Sequence, residues 1–107
     1  MNTFPKGQIV QFQNAIEYTE AGIVSKQIMK NEKGNVTLFA FSQGEGLSEH
    51  TAPFDALVQV IDGHTNIKIG KETFLLKTGD SIIMPANISH ALQALTSFKM
   101  LLTMIKI

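Results

Sequence analysis

Hydrophobic and polar positions alternate over short stretches, and glycine, proline or Asx residues separate those stretches at fairly even intervals from about residue 31 onward. Asn31-Glu32-Lys33-Gly34-Asn35, Gln43-Gly44-Glu45-Gly46, Asp62-Gly63, Gly70-Lys71 and Thr78-Gly79-Asp80 carry turn chemistry. Between them the chain predicts strands. Val36 to Phe41 is β-branched and aromatic, and Ala56 to Ile61 carries valines at 58 and 60. Asn66 to Ile69 alternates and is joined through Gly70-Lys71 to Glu72–Leu76 as a tight hairpin. Ser81 to Met84 and Phe98 to Ile107 complete the set. Only Asn14 to Ala21 has the pattern of a helical turn. Short strands at roughly ten-residue spacing predict an all-β sandwich or barrel. The last strand is apolar on both faces, so both need cover, from a second sheet or from a partner subunit. A homodimer is expected on that ground.

The 107 residues suit one domain, here taken as 1–107 with a core over about 35–105 and an N-terminal strand or arm over 1–34. Hydrophobic residues at 44% fit a packed core. Nine Lys/Arg against nine Asp/Glu leave no electrostatic footprint for nucleic acid or for an anionic membrane. The absence of cysteine excludes disulfides, thiolate nucleophiles and Cys-based zinc sites. Residues 1–6 lack a signal-peptide pattern, and polar residues interrupt every apolar run well short of a membrane span, so a cytoplasmic location is expected.

Three histidines are the first candidates for chemistry. His50 follows a glycine-rich turn and is expected to precede a strand. His90 follows the proline turn Met84-Pro85-Ala86-Asn87-Ile88-Ser89, and His64 follows Gly63. Taken singly, each reads as a surface or hydrogen-bonded core residue. Two histidines entering strands from such turns point instead to the mouth of a barrel cavity.

Gly44, five residues, His50, and Gly63 thirteen residues on resemble the first cupin motif. Gly79-Asp80-Ser81-Ile82-Ile83-Met84-Pro85 followed by His90 resembles the second. The resemblance spans about residues 35–105 and implies a double-stranded β-helix, the jelly-roll barrel of a small single-domain cupin. In metal-binding members it implies two histidines and a glutamate from the first motif and one histidine from the second. Here His50 and His90 match. Ala52 stands at the second histidine and Ala56 at the glutamate, Asn87 replaces a glycine, and Ala94 replaces an asparagine. Two protein ligands fall short of the three or four that a defined transition-metal site uses.

Neighbouring groups compensate poorly. Asp55 alternates with Ala56, so a regular strand turns it outward. His64 lies eight residues beyond Ala56, over about 20 Å along a strand. Glu45 and Glu49 belong to the solvated rim, Glu49 being the better substitute ligand. Alanines at 52 and 56 instead make an apolar pocket. Val58 and Val60 share the interior by parity with Ala56, Phe54 sits at the mouth, and Met84, Met100 and Met104 offer adaptable walls or plain core filling. The expected ligand-binding set is His50, Ala52, Phe54, Ala56, Val58, Met84, His90 and Met100.

Two functions follow. One is a barrel that binds a small molecule without a tightly held metal. The other is a metal-dependent oxygenase or isomerase, in which His50 and His90 with water or Glu49 hold zinc, nickel, iron or manganese. Metal-free use of either histidine as a general base is a thinner third reading, since no nucleophile or oxyanion feature accompanies it.

Overall fold

The structure, a computed structural model, describes residues 4–107. Nine strands run in chain order: β1 Ile23–Asn31, β2 Gly34–Phe41, β3 Gly46–His50, β4 Phe54–Asp62, β5 His64–Ile69, β6 Glu72–Lys77, β7 Ser81–Met84, β8 His90–Ala94 and β9 Phe98–Lys106. They form two antiparallel sheets, ordered β1-β2-β9-β4-β7 and β3-β8-β5-β6, which face each other as a jelly-roll barrel. Every strand expected from alternation is present, within two residues at either end. Among the described residues no helix is long and apolar enough to cross a membrane.

Alternation sorts the side chains of the five-stranded sheet into two layers. Phe41, Phe98, Met100, Val60, Leu102, Val58 and Ala56 face the barrel interior and are buried there with Ile67, Leu76, Leu92 and Ala94 of the other sheet. The Phe41 and Phe98 rings stack with centroids 4.8 Å apart at 11°, close enough to add to their area burial. Gly63 closes the β4–β5 turn at φ 83°. A Cβ there would stand 2.2 Å from Ser97 O and 2.7 Å from Phe98 Cβ, so no other residue fits. Gly70 takes φ 59° at the first central position of the β5–β6 hairpin, the conformation a type II′ turn asks of it.

The outer face of the same sheet carries a second, smaller core. Leu38 and Ala40 of β2 are buried there with Ile16, and Leu101 of β9 packs against them together with Phe4, Phe12 and Ala15. The chain's own N-terminal segment therefore covers half of the second face of β9, and the requirement that pointed to a partner is partly met within the chain. The expected helical turn at Asn14 to Ala21 is corrected. A single 3-10 turn spans Phe12–Asn14, and residues 15–22 cross the sheet irregularly. Tertiary bonds replace the local ones. Lys26 Nζ donates to Ala15 O (2.7 Å), Lys99 Nζ to Gln13 O (2.7 Å) and Ser42 Oγ to Thr19 O (2.8 Å). The Tyr18 hydroxyl donates to the Asp62 carboxylate. Burial first, and that carboxylate second, hold the Tyr18 phenol well above its usual pKa.

Ile16 is 1% exposed at the centre of this outer core. Ile16→Ala is expected to cost about 2–4 kcal/mol. A urea unfolding curve checks this: the midpoint should fall with the slope unchanged, and an unaltered midpoint would show that the segment is not part of the cooperative unit.

Candidate functional site

The open end of the barrel is built by two turns that hydrogen-bond to each other. Pro85 ends β7, and Asn87 then takes φ 65°, the left-handed conformation that asparagine tolerates better than most residues. Its N–H donates to Ala52 O (2.8 Å), and Ala86 N–H donates to Asp55 Oδ1 (2.9 Å). Asp55 does point away from the barrel interior, as parity requires, and it caps the turn that leads to His90. This positioning role was not anticipated. The Ala52–Asp55 segment thus fixes the second histidine through its partner turn.

His50 and His90 stand opposite each other on β3 and β8, with ring centroids 4.4 Å apart at 69°. His50 precedes β4, as expected, and is also the last residue of β3, a strand that the sequence pattern did not mark. The β3–β8 register is irregular between Leu47 and His50. That irregularity lets both Leu47 and His50 line the cavity although they are three residues apart, and nothing in the sequence marks it. His50 Nδ1 lies 2.8 Å from Ser48 O, and His90 Nδ1 lies 3.3 Å from Ile88 O. A carbonyl oxygen only accepts, so each Nδ1 carries the proton. Each neutral ring then presents Nε2 as an acceptor. Among the described residues no hydrogen bond reaches either Nε2.

Below the pair lies a cavity of about 50 Å³ lined by Leu47, Ala52, Phe54, Ala56, Met84, Ala91, Leu92, Met100, Leu102 and Met104 as well as the two histidines. Seven of the eight expected residues, His50, Ala52, Phe54, Ala56, Met84, His90 and Met100, meet here. Val58 does not: it is fully buried in the core and does not line the cavity. Leu47, Ala91, Leu92 and Leu102 were not anticipated. The alternation of β8 and β9 could have shown Leu92 and Leu102, which share the inward face with His90 and Met100.

The residues present do not fit the metal set that the cupin resemblance implies. Among the described residues no three His, Cys, Asp or Glu side chains are grouped to hold an ion. Glu49, the expected substitute, is corrected. Its carboxylate lies 3.8 Å from Lys68 Nζ on the outer surface of the four-stranded sheet, and both side chains are about half exposed. His64, as its distance required, starts β5 and does not line the cavity.

Burial pushes the His90 imidazole below its ordinary pKa; the charge of a protonated His50 acts the same way, and the bond to Ile88 O opposes both. Between the folded value and the ordinary one near 6.5, the unfolded chain binds the extra proton, so stability rises with pH through that window. Urea midpoints are therefore expected to fall as the pH drops below about 6.5, and His90→Gln should remove part of that dependence. A His90 titration by NMR at or above 6.5 would contradict the burial argument.

The chain matches the family model described as "Cupin domain" over residues 37–106. It superposes on a conserved protein of unknown function from Streptococcus pyogenes, SPY1581, with TM-score 0.94, 28% identity, and 99% of this chain and 93% of that one covered. A cupin 2 conserved barrel domain protein from Leptotrichia buccalis is 40% identical with TM-score 0.84, over 88% of this chain but 46% of that longer one. A cupin superfamily protein from Desulfitobacterium hafniense gives TM-score 0.91 at 24% identity, over 99% and 97%, a likeness of fold. No curated protein matches the chain. The barrel, the two motif turns and the family match over most of the chain lead to one conclusion: the chain belongs to the cupin family.

Proposed function

We propose that the barrel binds a small, mostly apolar molecule in the cavity beneath His50 and His90, and that the molecule's polar group is a hydrogen-bond donor. One observation carries this reading: an apolar cavity ends at two facing imidazoles whose Nε2 acceptors meet no donor among the described residues. A few placed polar groups in a greasy recess are what orient a ligand. The space takes only a few heavy atoms as it stands. The long, unbranched side chains of Met84 and Met104 can shift to enlarge it, and a longer ligand extends past Phe54 to solvent. The oxygenase or isomerase reading keeps only His50 and His90 of its protein ligands.

Two measurements test the reading. Native mass spectrometry with elemental analysis of freshly purified protein should find an organic mass and no stoichiometric zinc, nickel, iron or manganese. Titration with n-butanol, a short apolar chain bearing one donor, should move the methyl resonances of Met84, Met100 and Met104 saturably. Ala52→Leu should abolish that response by filling the mouth, and His50→Ala should weaken it. Stoichiometric divalent metal, or shifts that never saturate, would defeat it.

The assembly proposed with this function is a homodimer. In support, register partners Met29, Val36, Thr103, Leu57 and Ile83 form one row across all five strands on the outer face. Met29, Ile83 and nearby Ile105 are 59%, 62% and 59% exposed beyond the part covered by the N-terminal segment. A row without charge on an outer sheet face meets its own copy across a two-fold axis at no electrostatic cost. Sedimentation should give a dimer of the 11.8 kDa chain, reduced to monomer by Ile83→Lys or Met29→Lys. A wild-type monomer would refute the assembly.

A further inference from the structure

Among the described residues, His50 and His90 supply the only side-chain nitrogen or oxygen atoms in the cavity lining. Each ring spends its Nδ1–H on a backbone carbonyl, at 2.8 Å to Ser48 O and 3.3 Å to Ile88 O. The side chains of the site therefore offer two acceptors and no donor. With ring centroids 4.4 Å apart, the two imidazoles leave no room for separate partners, and one head group has to serve both. Their settings differ. His90 is 9% exposed, whereas His50 lies exposed at the mouth.

That inventory selects among head groups. A carboxylate or phosphate brings acceptors to acceptors, with no cation in the lining to pair with. A hydroxyl donates one proton, leaves one imidazole unserved, and adds lone pairs that find no donor. A primary ammonium has enough protons, but no carboxylate in the lining offsets its charge. The acidic residues nearest His50 are engaged elsewhere, Glu49 beside Lys68 Nζ (3.8 Å) and Asp55 on Ala86 N–H (2.9 Å). The nitrogen of a primary carboxamide is neutral, carries two N–H donors and accepts nothing. Its carbonyl oxygen stays at the mouth, where water solvates it beside His50. Below the rings, a cavity of about 50 Å³ with apolar walls takes a chain of a few carbons.

We propose that the site takes a primary carboxamide on a short alkyl chain, its two N–H groups donating to Nε2 of His90 and of His50 and its chain lying in the cavity beneath them. The inference rests on the small-molecule reading above and narrows it from a donor of any kind to a neutral nitrogen with two protons.

The test is a matched series followed by NMR at about pH 8, above the ordinary imidazole range. Propionamide, 2-butanone, propionate and n-butylammonium equal n-butanol in heavy-atom count. Propionamide is expected to move the methyl resonances of Met84, Met100 and Met104 saturably. It should bind about tenfold more tightly than 2-butanone, which keeps the shape and the carbonyl but has no N–H. Propionate and n-butylammonium should give no saturable shift. Long-range proton–nitrogen correlation spectra should show both rings protonated at Nδ1, with propionamide moving both Nε2 signals further than 2-butanone does. His50→Phe and His90→Phe each keep a ring and remove one acceptor, so each should bring propionamide and 2-butanone within about threefold of each other. His50 is exposed, so its variant keeps the fold, which circular dichroism checks, and the test stands on that variant alone if His90→Phe unfolds.

Equal affinity for propionamide and 2-butanone, tighter binding of propionate or n-butylammonium, an Nε2-protonated ring, or an unchanged preference in folded His50→Phe would each overturn the proposal. Saturable n-butanol binding alongside any of those results would leave the small-molecule reading standing. No saturable response to n-butanol or to any member of the series would defeat both, so the two fail separately.

Discussion

Strand β9 has both edges paired, its inward face buried and the first half of its outer face covered, and the rest of the molecule is arranged around it. Its edges pair with β2 and β4. Its inward residues Phe98, Met100 and Leu102 enter the barrel core, and Leu101 enters the outer core beneath the N-terminal segment. A strand with both edges paired and both faces apolar has no solvated register to slip into, because a one-residue shift would move each buried set into the wrong layer. Pinning β9 also pins its neighbours. Through β4 it fixes the row containing Ala56 and Met104, and through β4 again it fixes β7 and Met84. The floor of the cavity is thus a consequence of the register of one strand.

The mouth is controlled differently, through loops rather than ladders. His90 depends on a turn in which Asn87 adopts a left-handed conformation, and that turn is held by one backbone bond to Ala52 and one side-chain bond to Asp55. His50 depends on an irregular end of β3 paired to β8. Each ring is then fixed by its own nearby carbonyl. The two levels of control differ in rigidity. The floor is set by buried ladders, which open only with the barrel, whereas the mouth is held by a few partly solvated bonds of about 1 kcal/mol each. Entry of a ligand belongs to the second level.

Most of the architecture was legible in the sequence because period-2 alternation and turn residues act locally. Val36 to Phe41, Ser81 to Met84 and the Gly70-Lys71 hairpin stand where those signals put them. The N-terminal segment was misread for the complementary reason. Residues 14–21 resemble a helical turn, but Ile16 gains more by burial against Leu38 and Ala40, and lysines 26 and 99 take up the local carbonyls. Long-range packing overrode a weak local preference. At the site, the cupin motif spacing brought His50, His90, Ala52 and Ala56 together, and parity brought Phe54 and the methionines. Parity alone places Val58 inside without saying at what depth, and depth decided that it belongs to the core. Leu47 joined the lining through a strand irregularity, and Asp55 gained its role from a turn thirty residues away. Neither is written in local spacing.

Replacing a histidine and a carboxylate by Ala52 and Ala56 also changes what holds the site together. Clustered carboxylate and imidazole ligands stabilise one another only through the ion between them, since without it a buried charge is left unpaired. Here, among the described residues, the cavity lining contains no carboxylate to leave unpaired, and both histidines satisfy one ring nitrogen within their own backbone. Among the described residues no buried side-chain nitrogen or oxygen lacks a partner. The buried polar groups at the site are therefore satisfied without relying on a charged partner. Whatever enters must gain its binding energy from apolar contact and from two lone pairs. That favours an occupant small and weakly hydrated enough to give up its water cheaply, and it disfavours the strongly hydrated divalent ions that a carboxylate-bearing barrel would hold.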